Sequence, residues 1–314
     1  MKSWTTKFEG PEKKLEIILT SPQKGLRSNS NRRWDRVVRA SAAEVISKIF
    51  TAHVDAYLLS ESSLFVWDDR ILMITCGKTS LINAVPEILC IVDKAKVAFV
   101  FYERKSFMFP DEQPSNFEDD VSCMLKHFSG KSYRLGPAND DHVHVFYACP
   151  VPGSCEPDVT LEVLMHELEC GAVEIFSFNQ AHTPEQIDRL CGLSGLYPKM
   201  DKDRHLFSPY GYSVNGVFDK SYFTVHVTPQ PEGSYASFET NVMEADYSQR
   251  INQVLSIFNP GRFSIVLTTS MDQRSRSLHS TVGDAVAGYV AAEKSLYEFN
   301  CDYAVTLLNY VRSR

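Results

Sequence analysis

An α+β fold with largely antiparallel sheets backed by helices is predicted by three features of the chain. Short apolar runs of strand length follow one another with few helical stretches between them. Strict β-α-β alternation, the mark of a parallel sheet, is absent. Both halves also run strand, helix, strands, helix, strand, which points to an internal duplication.

The first strand is KLEIILT (14–20). ASAAEVISKIFTA (40–52) spaces its apolar residues as a helix does, and DAYLLS (55–60), SLFVWD (63–68) and RILMITCG (70–77) follow as strands. TSLINAVPEILCIVDKA (79–95) and FEDDVSCMLKHF (117–128) are predicted helices, with the strand VAFVFYE (97–103) between them. SYRLG (132–136) and HVHVFYA (142–148) close the first half as strands. In the second half TLEVLMHEL (160–168) and AVEIFSF (172–178) are predicted strands. TPEQIDRLCGL (183–193) opens as a helix should, with Pro184 in its first turn and Glu185 and Asp188 at the positive end of its dipole. YGYSVNGVF (210–218), YFTVHVT (222–228), SYASFETN (234–241) and RFSIVLTT (262–269) are strands, and YSQRINQVLSIF (247–258) is a helix. PDEQPSN (110–116) and CPVPGSCEPD (149–158) read as surface loops.

At 314 residues the chain can bury a large core, and it is expected to form a single domain over 1–314. Its 44% hydrophobic and 23% charged residues are an ordinary globular balance. The net charge of −7 argues against nucleic acid and favours a cationic ligand. Cysteines at 76, 90, 123, 149, 155, 170, 191 and 301 are scattered rather than clustered, so free, mostly buried thiols and a reducing compartment are expected. With no apolar signal core and no apolar run near ~18 residues, neither a membrane span nor a secretory leader is expected, which points to the cytoplasm.

The commonest chemical signatures are missing: there is no Gly-rich phosphate loop and no G-x-S-x-G elbow. His142, His144, Cys149 and Cys155 lack the tight pairs that zinc prefers and read as a polar strand face and its loop; no metal is expected. Arg32, Arg33, Arg36 and Arg39 read as a solvated loop leading into a helix. One turn does not fit its surroundings. Between two apolar strands, where a tight hairpin would carry Asn-Gly, stands Glu61-Ser62-Ser63.

That LSESSLFV…TCG stretch, with FEGPEKKLEI (8–17) and FSPYGYSVNGVFDKSYFTVHVTPQPEGSYASFETN (207–241), resembles the eukaryotic, pyruvoyl-dependent S-adenosylmethionine decarboxylases over most of the chain. The resemblance implies two sheets in an αββα four-layer sandwich. It also implies self-cleavage between Glu61 and Ser62 into a β chain (1–61) and an α chain (62–314), with Ser62 becoming the pyruvoyl cofactor. Ser62 Oγ would attack the Glu61 carbonyl, and β-elimination from the resulting ester would cut the chain. Ser213 would hydrogen-bond the Glu61 carbonyl and His226 would take the α-proton. In the mature site the pyruvoyl carbonyl would take the substrate's α-amine and draw electrons, while Cys76 returns a proton to the former α-carbon. Phe8 and Phe207 would sandwich the adenine, beside the backbone of Leu59 and the new end at Glu61.

Two departures stand out. Where the family carries a glutamate for the ribose hydroxyls, this chain has Gln230, so a roughly tenfold weaker substrate affinity is expected. Glu16, Asp158, Glu162 and Glu239 match the acidic pocket that binds putrescine in some members. The basic residue those members carry two before the cysteine is Ile74 here, so little or no putrescine stimulation is expected. The leading expectation is an active decarboxylase supplying the aminopropyl donor for spermidine and spermine. Its alternative is a catalytically weak regulatory paralogue that activates a partner subunit, and a plain binding module leaves Glu61, Ser62, Cys76, Ser213 and His226 unexplained. Monomer, homodimer and heterodimer with a paralogue all stay open.

Overall fold

The structure is a computed structural model that describes residues 7–151, 158–177, 182–230, 233–283 and 286–313. The first sheet is built from β1 (Lys13–Leu19), β2 (Val45–Phe50), β3 (Asp55–Leu59), β4 (Ser62–Val66), β5 (Arg70–Thr75), β6 (Val97–Lys105), β7 (Lys131–Leu135) and β8 (Val143–Ala148). The second holds β9 (Val159–His166), β10 (Asp201–Leu206), β11 (Tyr212–Phe218), β12 (Ser221–Thr228), β13 (Tyr235–Thr240), β14 (Arg262–Ser270), β15 (Tyr289–Glu298) and β16 (Tyr303–Arg312). Their orders are β2-β3-β4-β5-β1-β6-β8-β7 and β10-β11-β12-β13-β9-β14-β16-β15. The second is the first with every number raised by eight, which bears out the expected duplication.

Alternation of side chains along each strand separates three apolar layers. On the outer face of the first sheet, Leu15, Ile17, Tyr57, Leu64 and Met73 pack under α1 (Arg33–Ala40) and α2 (Ala84–Leu89). On the outer face of the second, Leu161, Val163, Val225, Phe238 and Ile265 pack under α6 (Ser248–Phe258). Between the sheets, Phe99, Phe101 and Val145 meet Leu164, Val266 and Val305, while Phe65 and Ile74 meet Val217 and Tyr222. Helices, sheet, sheet, helices is the αββα sandwich expected, with all strand pairs antiparallel.

Several local expectations are corrected. The stretch 40–52 is not a helix: α1 ends at Ala40, Ala42 takes a left-handed φ of 66°, and β2 begins at Val45. Val45, Ile46, Ile49 and Phe50 satisfy a helical spacing, but they are β-branched or aromatic; Val45, Ile49 and Phe50 pair along β3, and Ile46 falls at a bulge. Arg33, Arg36 and Arg39 sit on α1 itself rather than before a helix; Arg32 holds its N-cap position without a side-chain cap bond and pairs with Asp35. The predicted helix 79–95 shrinks to a 3₁₀ turn and α2, because Pro86 fits only a first turn. AVEIFSF falls largely in α4 (Cys170–Ile175), and its last residue lies outside the described ones. Of the helices expected, α3 (Phe117–Met124), α5 (Pro184–Cys191) and α6 form, α5 with a Thr183–Gln186 capping box. The strands β10, β15 and β16, and α7 (Gln273–Thr281), were not anticipated. Cys149 and Cys301 are not free thiols: they form a disulfide across the two sheets, with Cα atoms 6.2 Å apart and the two cysteines 152 positions apart in the chain. Cys90 is exposed, and Cys155 lies outside the described residues. No described helix is long and apolar enough to cross a membrane.

Candidate active site

The site grows from the β3–β4 hairpin. Leu59 pairs with Ser62 across a two-residue turn of Ser60 and Glu61, and Ser62 pairs onward with Thr75 of β5. Ser62 sits at φ 117°, a conformation a side-chain-bearing residue rarely adopts and that costs about 1–3 kcal/mol. Its Oγ is buried with no hydrogen-bond partner. The Glu61 carbonyl accepts the Cys76 N–H at 3.0 Å. Gly77 stands at φ 62°, and a Cβ there would lie 2.7 Å from Glu61 Oε2 and 3.0 Å from Phe8, so TCG needs its glycine.

From the second sheet, alternation along β11 and β12 turns Ser213 and Asn215, and Thr224 and His226, toward the first sheet. Ser213 pairs with His226 across the strands, and Ser213 Oγ lies 2.8 Å from His226 Nδ1. The carbonyl bond expected of Ser213 is made here by the Cys76 backbone instead. Phe8, Glu61, Ser62, Cys76, Phe207, Ser213, His226 and Gln230 all line one cavity of about 380 Å³. Leu59 does not: its side chain is buried in the outer core, and Ser60 takes the place at the cavity wall. Gln230 Oε1 accepts the Phe8 N–H at 3.1 Å.

Burial sets the protonation states. It pushes the His226 imidazole down to about 3, so the ring is neutral near pH 7. Burial, then the Glu61 and Glu12 carboxyls, raises the Cys76 thiol well above its usual value, so it keeps its proton. Burial lifts Glu61 to about 7 against the pull of Lys13.

Glu16, Asp158, Glu162 and Glu239 lie between the sheets among three cations, which the carboxyls still outnumber once Glu103 is included. Burial raises Glu16 and Glu239 above the usual carboxylate range. Lys14 pairs with Glu162, Glu239 (3.4 Å) and Glu103 (3.6 Å); Lys105 bonds Glu103 and Glu162; Arg70 bonds Glu16 and, at 2.7 Å, Asp158. Ile74 packs in the apolar layer, and the positive charge comes from Lys14 on β1, Lys105 on β6 and Arg70 at the start of β5 itself. Although burial alone would raise it, Lys105 and Lys14 hold the Glu162 carboxyl below the usual range.

Sequence reasoning missed Glu12, which accepts from Ser237 and Tyr235, and Lys13, whose Nζ donates to Thr79 O at 2.9 Å beside the Cys76 turn. A signal was present: Lys13 and Lys14 stand side by side in a central strand, where one face at least should have been apolar. Among the described residues no group of three His, Cys, Asp or Glu side chains is placed to hold a metal ion; His142 and His144 pack edge to face at 4.9 Å.

The model of the family described as adenosylmethionine decarboxylase matches residues 5–311. The chain is 33% identical over 323 residues to the S-adenosylmethionine decarboxylase proenzyme of Dictyostelium discoideum, covering 96% of this chain and 85% of that one. It is likewise 33% identical to the proenzyme of Xenopus laevis, over 97% of this chain and 95% of that one. A solved structure, the Trypanosoma brucei AdoMetDC-delta26 monomer, is similar with a TM-score of 0.66 at 28% identity, covering 80% of this chain and 99% of that one.

Proposed function

The chain belongs to the adenosylmethionine decarboxylase family, whose substrate is S-adenosylmethionine, and from that premise we propose that it processes itself at Glu61–Ser62 to make its own cofactor. In this family the cofactor is a pyruvoyl group derived from a serine by self-cleavage. Ser62 fits that origin: its Oγ is the buried, unpartnered hydroxyl at the cavity wall, on a backbone held at φ 117°. That combination carries the reading.

Ser62 Oγ forms a bond to the Glu61 carbonyl carbon, and the Cys76 N–H already on the carbonyl oxygen stabilises the charge that develops there. The hydroxyl proton passes to the nitrogen as the C–N bond breaks, leaving an ester and a free amine and releasing the strain at residue 62. The neutral His226 takes the α-proton of residue 62; the Cβ–Oγ bond breaks, and Glu61 leaves as a carboxylate that ends the 1–61 chain. The enamine left at residue 62 tautomerises to an imine, and water adds to it and displaces ammonia, leaving the pyruvoyl group at the head of 62–314. That group, once formed, supplies the electron sink for loss of carbon dioxide.

The chain's residues do the rest. Phe8 and Phe207 give the cavity two aromatic faces for the adenine and the sulfonium, a cation–π contact worth about 0.5–2 kcal/mol. The protonated Cys76 thiol holds the proton for the substrate's former α-carbon. Gln230 faces the ribose, and Ser60 with the Glu61 terminus borders the substrate. The product serves as aminopropyl donor for spermidine and spermine, and the reading places the enzyme in the cytoplasm. The regulatory-paralogue alternative rests on Gln230 alone; it leaves Ser62, Cys76, Ser213 and His226 converging on one cavity without a purpose. On a denaturing gel the native chain should run as two pieces, 1–61 and 62–314, and Ser62→Ala as one. A native chain that stays whole contradicts the reading.

A further inference from the structure

His226 is held on both ring nitrogens, and three of the groups involved have no part in the reaction as described. Nδ1 lies 2.8 Å from Ser213 Oγ. Nε2 lies 2.8 Å from Thr224 Oγ1 and 3.2 Å from Ser63 Oγ. Both of those hydroxyls also reach Asn215 Oδ1, at 2.9 and 2.7 Å. Asn215, Ser63 and Thr224 are buried, so water does not complete the network.

Valence places the hydrogens. The Tyr57 carbonyl can only accept, so Asn215 turns Nδ2 to it, at 3.2 Å. Oδ1 therefore faces the two hydroxyls, and its two lone pairs accept one hydrogen from each. A hydroxyl has a single proton. With theirs committed to Asn215, Ser63 and Thr224 offer Nε2 only lone pairs, so Nε2 carries the ring hydrogen. A neutral imidazole has one N–H; Nδ1 is therefore bare and accepts from Ser213 Oγ–H. The opposite tautomer would require one hydroxyl to turn its proton to Nε2, leaving Asn215 Oδ1 a donor short in a site closed to water.

We propose that Asn215, acting through Ser63 and Thr224, fixes His226 as the Nε2–H tautomer and so makes Nδ1, once Ser213 turns its hydrogen aside, the atom that takes the α-proton of residue 62. The proposal rests on the reading of His226 as the base of self-cleavage. Asn215, Ser63 and Thr224 are positioning residues. Asn215 does for this histidine what an aspartate does in a serine–histidine–aspartate triad, but without charge. The neutrality matters: a carboxylate there would favour the protonated ring, which cannot accept. After the transfer Nδ1–H has Ser213 to bond, and Nε2–H keeps Thr224 and Ser63.

Nitrogen NMR of His226 in full-length Ser62→Ala, which cannot cleave, reads the tautomer directly. A proton on Nε2 is expected. A proton on Nδ1, or an even mixture, overturns the proposal whether or not the native chain cleaves. Adding Asn215→Leu to that chain should move the proton to Nδ1. In the cleavable chain Asn215→Leu should slow elimination on the order of 10²-fold, so that whole chain accumulates as a hydroxylamine-sensitive ester, because the acyl shift does not use the base. Should Asn215→Leu fail to fold, Thr224→Val is expected to slow elimination and Thr224→Ser to preserve it. Unchanged elimination in a folded Asn215→Leu, or equal rates for the two Thr224 variants, overturns the proposal. A native chain that forms neither ester nor cleaved product would sink the self-cleavage reading instead, while the Ser62→Ala spectrum would still decide the tautomer.

Discussion

Gln230 lines the cavity with one lone pair of its amide oxygen already given to the Phe8 N–H, so it offers a ribose at most one acceptor site beside its NH₂ donor. An NH₂ group can only donate, whereas a glutamate could keep Phe8 on one oxygen and accept a ribose hydroxyl on the other. Gln230→Glu is therefore expected to tighten a non-reactive substrate analogue by up to about tenfold in calorimetry, or ~1.4 kcal/mol; no gain refutes that role for position 230. In the proposed mechanism Cys76 acts twice, through its backbone N–H on the Glu61 carbonyl and through its thiol in turnover. Cys76→Ala should cleave as the native chain does yet lose most decarboxylation, measured as released carbon dioxide; a block in cleavage would show that the thiol, not the N–H, serves that step. Because burial holds His226 near 3, the base is free at any pH above that value. The elimination rate should stay level from pH 8 to 5, and a fall with a midpoint near 6.5 in rapid-quench assays would mean a solvated imidazole. These site residues were legible because LSESS, TCG and GYS-N…HVTP are short and distinctive. Asn215, Thr224 and Lys14 were not, since their roles depend on partners met only in the fold: Lys14 bonds a glutamate 148 residues away.

Along β1, alternation sends Lys13, Leu15 and Ile17 outward and Glu12, Lys14 and Glu16 between the sheets, so one strand supplies both a core face and a charged layer. Lys14 and Lys105 stand among the carboxylates that would otherwise receive a dication. Putrescine is therefore expected not to raise the rate of the cleaved enzyme, and a clear stimulation would contradict this. Lys14→Leu should leave Glu162 and Glu239 short of a partner and destabilise the chain by about 3–5 kcal/mol in denaturant melts; a loss under ~1 kcal/mol would show the pairing to be dispensable. Strands with clean alternation and helices with capping signals, such as β12 and α5, were legible in the chain. The stretch 40–52 was not, because Val45, Ile46, Ile49 and Phe50 satisfy both periods and only pairing with β3 decides. Nor was β10: DKDRHL has no apolar face, and it is held at the sheet edge by β11.

At the scale of the whole molecule, the duplicated sheets set the site where two equivalent hairpin regions face each other: β3–β4 brings Glu61 and Ser62, and β11–β12 brings Ser213 and His226. The cut would fall inside the first sheet, yet 1–61 would contribute β1 between β5 and β6, and β3 between β2 and β4. The two pieces should therefore travel as one body in native size-exclusion chromatography and part only in denaturant; separation without denaturant would contradict the topology. The Cys149–Cys301 disulfide lies wholly within 62–314 and cannot be what joins them. The most direct measurement is the intact mass of the long piece before and after borohydride. A piece beginning at residue 62, with no free amino terminus and gaining the mass of a reduced ketone, is the predicted result. A piece beginning with an unmodified serine, or a chain that remains whole and does not react, would contradict self-made pyruvoyl chemistry at Ser62.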